Sequence, residues 1–271
     1  MAVALTGLAQ AATFVLGGNI LDVGVSDSGG LIDDNFTAGI LYKPMLPADY
    51  LTPGTPFEFY SIGESGAWNS AGYSTGNTFG TVSTNTSVPP TLSANTVSGA
   101  FFLGGATLIY TQNVFFDVNA SAINFSVDIL NVGNTPTNQL VYARGLDPDQ
   151  DINLGGGFAT LNSIPAANRV RAVGPLSNLY IDIVDLTGGG VPTVDQWWDQ
   201  NPYNLLVPHN DGNGDFTINM AWAIPSLDPG RSYEIDFQYV VGVVPIPGSL
   251  LLLGTGILGL LGAGGVRLRK K

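Results

Sequence analysis

Two nine-residue stretches of this chain place an apolar residue at every second position. In Tyr233-Glu234-Ile235-Asp236-Phe237-Gln238-Tyr239-Val240-Val241 every odd position is apolar, and in Phe216-Thr217-Ile218-Asn219-Met220-Ala221-Trp222-Ala223-Ile224 every even one is. Side chains of an extended strand point to opposite faces in turn, so a period of two fits a strand with one face buried and one wet, as in antiparallel sheets. Residues 124–129 repeat the pattern with Phe125, Val127 and Ile129, and residues 180–185 begin it. Further strands are expected over 37–42, 56–62, 79–83, 107–111, 112–118 and 139–144. No segment between 13 and 242 carries an apolar stripe of helical period. With 36 Gly and 17 Pro marking turns, the expected class is all-β. The expected architecture over residues 12–242 is a β-sandwich ectodomain, with a jelly roll as one form of it. Residues 69–98, rich in Ser, Thr, Asn and Gly, read as a long loop or as weak edge strands. Gly155–157 and Gly188–190 mark flexible loops.

Charge narrows the function classes. All 21 acidic residues precede position 249, and four of the nine Lys and Arg follow position 266. The body therefore sets five basic against 21 acidic side chains, a formal −16. Such a surface repels nucleic acid and attracts cations, Ca²⁺ included. No Cys is present, so disulfides, thiolate metal ligands and Cys nucleophiles are excluded.

Three constellations are candidates for chemistry. Asp147, Asp149 and Asp151 alternate in Asp147-Pro148-Asp149-Gln150-Asp151, just beyond the expected strand ending at Arg144. Carboxylates so spaced can aim several oxygens at one hard cation. The plainer reading is a solvated acidic loop, with Arg144 pairing with Asp147 or Asp151. Asp211, Asn213 and Asp215 form a D-x-N-x-D run leading into the strand from Phe216. An EF-hand is ruled against, because Phe216 stands where its turn Gly belongs and Trp222 where its bidentate Glu belongs. A tight Asx/Gly turn is the plainer reading, and a Ca²⁺ site shared with the first cluster is the alternative. Trp197, Trp198 and Tyr203 make up the third group. On a strand the two Trp side chains would face opposite ways, one in the core and one free to stack on a sugar ring. Two aromatics packed under a loop are the alternative.

Enzyme signals are sparse. His209 is the sole His, no G-x-S-x-G elbow occurs, and there is no phosphate loop, H-E-x-x-H or dinucleotide fingerprint. No catalytic residue is assigned, and the chain is expected not to be an enzyme.

The ends speak to destination. Residues 2–11 are mostly small and apolar and include Ala9-Gln10-Ala11, which fits a short signal peptide over 1–11 cleaved after Ala11. At the other end, Val244-Pro245-Ile246-Pro247-Gly248 leads into a charge-free span over 249–266, in which Ser249 is followed by four Leu. As a helix it measures about 27 Å, enough to cross a bilayer. Arg267, Arg269, Lys270 and Lys271 follow, a basic end that stays cytoplasmic under the positive-inside rule.

In residues 243–271 the chain resembles the PEP-CTERM sorting signal of exported bacterial proteins. The order is the same: a Pro-x-Pro motif, a Leu- and Gly-rich span and a basic terminus, with Ile246 where the name-giving motif has Glu. The resemblance implies an exosortase, a membrane transpeptidase, as partner. It implies transient membrane anchoring and then release to the cell surface or extracellular matrix. The expected role is structural or adhesive, through self-association or extracellular polysaccharide. A secreted carbohydrate- or Ca²⁺-binding module is the second reading and a secreted hydrolase the third.

Overall fold

A computed structural model describes residues 14–245 apart from 34, 36, 74, 75, 78, 80, 81 and 88–90. Its strands run in chain order. First come β1 (Phe14–Gly17), β2 (Leu21–Val25) and β3 (Ile40–Tyr42). Next are β4 (Glu58–Glu64), β5 (Ala67–Tyr73), β6 (Gly76–Asn77), β7 (Val82–Ser87), β8 (Thr91–Ser98) and β9 (Phe101–Leu103). The middle of the chain supplies β10 (Ala106–Asp117), β11 (Ala122–Asn131) and β12 (Leu140–Leu146). After them come β13 (Leu161–Ala166), β14 (Arg169–Val173), β15 (Leu179–Asp185) and β16 (Gly190–Asp195). One short helix, α1 (Pro202–Leu205), precedes β17 (Thr217–Ile224) and β18 (Ser232–Val243).

Two large sheets carry the molecule. One has the order β13-β14-β15-β18-β11-β10-β8-β7, with β9 on β10; the other runs β16-β17-β12-β4-β5-β6. A small β1-β2-β3 sheet completes the set. The all-β expectation holds. The sheets are larger than the paired four-stranded sheets of a jelly roll, so that form of the sandwich does not apply.

Period-two sequence becomes a buried seam between the large sheets. In β18, Ile235, Phe237, Tyr239 and Val241 are buried. Phe237 lies opposite Phe125 of β11 in the ladder, and their rings stack at 4.4 Å. Across the sandwich Phe237 meets Trp222 of β17 at 5.3 Å, and Trp222 meets its strand partner Tyr142 of β12 at 5.6 Å. Such aromatic pairs add to the stabilisation from burial alone. The two strands expected over 107–111 and 112–118 are one, because the alternation continues unbroken along β10.

Arg144 is the largest departure from a simple apolar core. It is fully buried and paired with the equally buried Glu58 of β4. Its Nη1 donates to Gln112 Oε1 at 2.6 Å, and its guanidinium lies 4.8 Å from the centre of the Phe125 ring. Glu58 Oε2 accepts the Leu31 amide at 2.9 Å. Burial pushes the Glu58 carboxyl upward while Arg144 pulls it down. The desolvation of both charges offsets much of their attraction, so a buried pair of this kind adds little net stability while leaving either partner alone would be costly. Arg144 is thus not a partner of Asp147 or Asp151, contrary to the plainer reading of the acidic loop.

The face of β17 expected to be wet is covered instead. Thr217, Asn219 and Ala221 are buried, and a second apolar cluster of Phe57, Phe59, Ala143, Leu205 and Ala221 lies on that side. The segment containing α1 folds over this face and seals it. Residues 69–98 supply the sheet edges β6 and β7 as well as the interior strand β8. The expected signal peptide (1–11), the span over 249–266 and the basic end lie outside the described residues, as do Pro247 and Ser249. Among the described residues no helix is long and apolar enough to cross a membrane.

Candidate metal centre

The site forms where β12 ends. Beyond Leu146 the chain leaves the strand and is held by Asp147 N donating to Phe57 O at 2.9 Å and Asp149 N to Tyr50 O at 2.9 Å. Both carboxylates are buried at 2 % exposure. Asp215, exposed and just ahead of β17, arrives from the neighbouring strand. Asp147, Asp149 and Asp215 each bring an oxygen to within 4.8 Å of the others.

The environment of this trio is unusual. Both Asp147 carboxylate oxygens and Oδ1 of Asp149 are buried with no hydrogen-bond donor. Buried polar atoms are nearly always paired, since an orphan costs about 1–3 kcal/mol and more for a charged group. Burial first, then the charges of Asp149 and Asp215 and a proton shared with the Asp215 carboxylate, push Asp147 up to about 9. Burial and Asp215 push Asp149 up to about 7. Three carboxylates so placed cannot all ionise cheaply unless something positive joins them.

Around the trio lies a cleft of about 150 Å³ lined by Thr55, Asp147, Asp149, Phe158, Trp198 and Asp215. Trp198 is fixed on one side by its indole N–H, which donates to Asp215 O at 3.2 Å, and by Phe57, whose ring lies 5.2 Å away. Gly54 sits at φ +74°, and a Cβ there would collide with Asp149 Oδ2 and the Phe158 ring. That position therefore needs glycine on two counts.

The remaining candidates are used differently. Asp151 turns away from the trio. Its Oδ2 accepts Leu176 N at 2.7 Å, while Oδ1 accepts Ser177 N at 3.1 Å and the Ser177 hydroxyl. Asn213 Oδ1 accepts Asn162 N at 2.8 Å, which locks the turn before β17. Asp211 Oδ2 accepts Gln196 N at 3.0 Å. Asp211 lies with Asp195 and His209 in a separate group, where His209 Nδ1 meets Val207 O at 2.7 Å. The acidic run before β17 thus divides, with Asp215 alone joining the first cluster.

Trp197 and Trp198 lie in the turn and loop after β16 rather than on a strand. Asp195 organises that turn, accepting Trp197 N and Asp199 N at 2.8 Å each. Trp198 takes a left-handed φ of +56°, and Trp197 is left 80 % exposed. Tyr203 is structural: its hydroxyl accepts Gly66 N at 3.0 Å and donates to Gln139 O at 3.1 Å. Thr55, Phe158 and Gly54 were not foreseen from sequence. Only the Pro53-Gly54-Thr55-Pro56 turn signal hinted at a special backbone there.

No protein-family model matches the chain, and no curated protein matches it. Among solved structures it is similar to a bacterial glucoamylase crystallised with acarbose, with a TM-score of 0.56 and 12 % identity over 93 % of this chain. The chain spans only 36 % of the length of that glucoamylase. It is also similar to the whole of a protein of Synechocystis sp. PCC 6803, with a TM-score of 0.50 and 9 % identity over 90 % of this chain. At such identities the likeness is one of fold, an all-β architecture that solved proteins share.

Proposed function

We propose that this chain is an exported β-sandwich module that binds Ca²⁺ through Asp147, Asp149 and Asp215 and serves at the cell surface or in the extracellular matrix. The observation that carries the reading is Asp147, a buried carboxylate that no N–H or hydroxyl donor reaches at either oxygen and that faces two further carboxylates. The donors are all oxygens, the choice of a hard cation such as Ca²⁺. Three carboxylates supply three to six of the six to eight oxygens Ca²⁺ takes, and Thr55 lines the same cleft. Export and surface sorting rest on the resemblance of residues 243–271 to exosortase substrates and on the acidic, Cys-free body. The cation would tie the segment leaving β12 to the turn entering β17, which suits a structural or adhesive part; no catalytic step is assigned.

The test is thermal unfolding with and without Ca²⁺. At roughly 100 times its dissociation constant a ligand stabilises by about 2.7 kcal/mol. In a domain of this size that raises Tm by about 5–10 °C. Asp149→Ala abolishes the rise. No shift at millimolar Ca²⁺, the affinity range of extracellular modules, would remove the proposal.

A further inference from the structure

The cleft holds more than carboxylates. Phe158 presents a side chain 47 % exposed, and Trp198 and Phe158 line the same space as Asp147, Asp149 and Asp215. An exposed aromatic wall beside a hard-cation site is poor design for a buried structural ion, which needs only oxygens. It suits a ligand with an apolar face and hydroxyl oxygens at its edge.

We infer that the site takes a neutral sugar with adjacent hydroxyls, whose oxygens complete the cation's coordination while its ring packs against Phe158 and Trp198. The inference rests on the cation reading above. Three properties of the cleft select this ligand class. Its volume of about 150 Å³ is well under that of pockets enclosing drug-sized molecules, about 300 Å³ and upward, so it takes a single ring or the end of a chain. Three ionised carboxylates and one divalent cation leave a local charge of −1, set in a body of formal −16. That field disfavours acidic sugars and phosphates. Ca²⁺ takes six to eight oxygens, so hydroxyls of a diol can fill positions that three Asp residues leave. Asp215 is the exposed member of the trio, so the cluster is open toward solvent rather than sealed.

The experiment uses the full chain, with methyl mannoside, methyl galactoside and methyl fucoside as probes. Each is titrated in millimolar Ca²⁺ and again in EDTA, and heat and Trp fluorescence are read. Ca²⁺ alone is titrated first. The expected result is that at least one glycoside binds in Ca²⁺ and none in EDTA. Phe158→Ala should weaken the glycoside by roughly fivefold, the worth of one aromatic contact, and leave Ca²⁺ affinity unchanged. Trp198→Phe, which keeps an aromatic face, should retain glycoside binding. If Ca²⁺ binds but no glycoside does, the sugar inference is overturned and the cation reading stands. Glycoside binding that persists in EDTA, or that ignores Phe158→Ala, overturns it equally. If Ca²⁺ itself fails to bind, both readings fall together.

Discussion

Asp147 and Asp149 differ from their neighbour Asp151 in donors rather than in acidity: both oxygens of Asp147 and Oδ1 of Asp149 are buried without one. Asp151 is as buried as they are, yet two amides and a hydroxyl satisfy it. The distinction sets a pH dependence. Asp147 is pushed up to about 9 and Asp149 to about 7, both above the ordinary Asp range. Below those values the carboxyls hold protons that a cation must displace. Ca²⁺ affinity should therefore climb with pH, by up to about tenfold per unit between about 7 and 9 and more steeply below about 7. Stability of the cation-free protein has the opposite slope. The folded-state values lie above the unfolded ones, so the folded chain binds more protons in the window between about 4 and about 9 and loses stability as pH rises through it. Calorimetric Ca²⁺ titrations at three pH values across this window check the first claim, and melting in EDTA checks the second. An affinity flat with pH would mean that these carboxylates are not the ligands.

At the scale of elements, the acidic loop was half legible. Alternation correctly puts Asp147 and Asp149 together. It fails at Asp151, which takes a helical backbone conformation and opens a 3-10 turn over Ile152–Leu154. That turn aims Asp151 at the 174–177 loop, whose amides it holds. Nothing local to 147–151 announces the switch; the amides of Leu176 and Ser177 win the side chain. Asp215 was legible first as a turn residue and only as the alternative as a partner of the first cluster, because strand pairing of β12 with β17, which carries it to Asp147, cannot be read from local sequence. Asp151→Ala separates the two roles. It removes charged hydrogen bonds and strands two amides, so it should cost about 3 kcal/mol. Thermal unfolding would show a fall of roughly 6–12 °C, with the increment due to Ca²⁺ retained. If Asp151→Ala also erased that increment, Asp151 would belong to the binding set and its observed partners would be incidental.

For the whole molecule, composition and alternation sufficed for the class, while strand order did not follow from them. Register and neighbours are decided by long-range pairing, and the clearest case is β18. This late strand lies between β11 and β15, inside the larger sheet. Ladder pairs run from Leu130↔Ser232 along one side to Leu179↔Val243 along the other. One more bond, Val244 N to Asn178 O at 2.8 Å, holds the chain just before Pro245. The described ladder of β18 thus runs up to the residue where the proposed sorting segment starts. A cut near Pro245–Pro247 would leave every ladder bond of β18 intact, and a cut several residues earlier would open the centre of a sheet. Prolines there also suit a boundary, since they cannot extend the ladder as donors. If the tail is a removable handle, expression with an exosortase should yield a shortened protein whose new C-terminus lies beyond Val243. Its Tm should match that of the uncut body. Pro245→Ala with Pro247→Ala should leave the chain full-length in the membrane fraction. Mass spectrometry of the C-terminal peptide reads the outcome directly. Unchanged trimming in the double variant, or a terminus inside β18, would reduce residues 243–271 to a plain anchor.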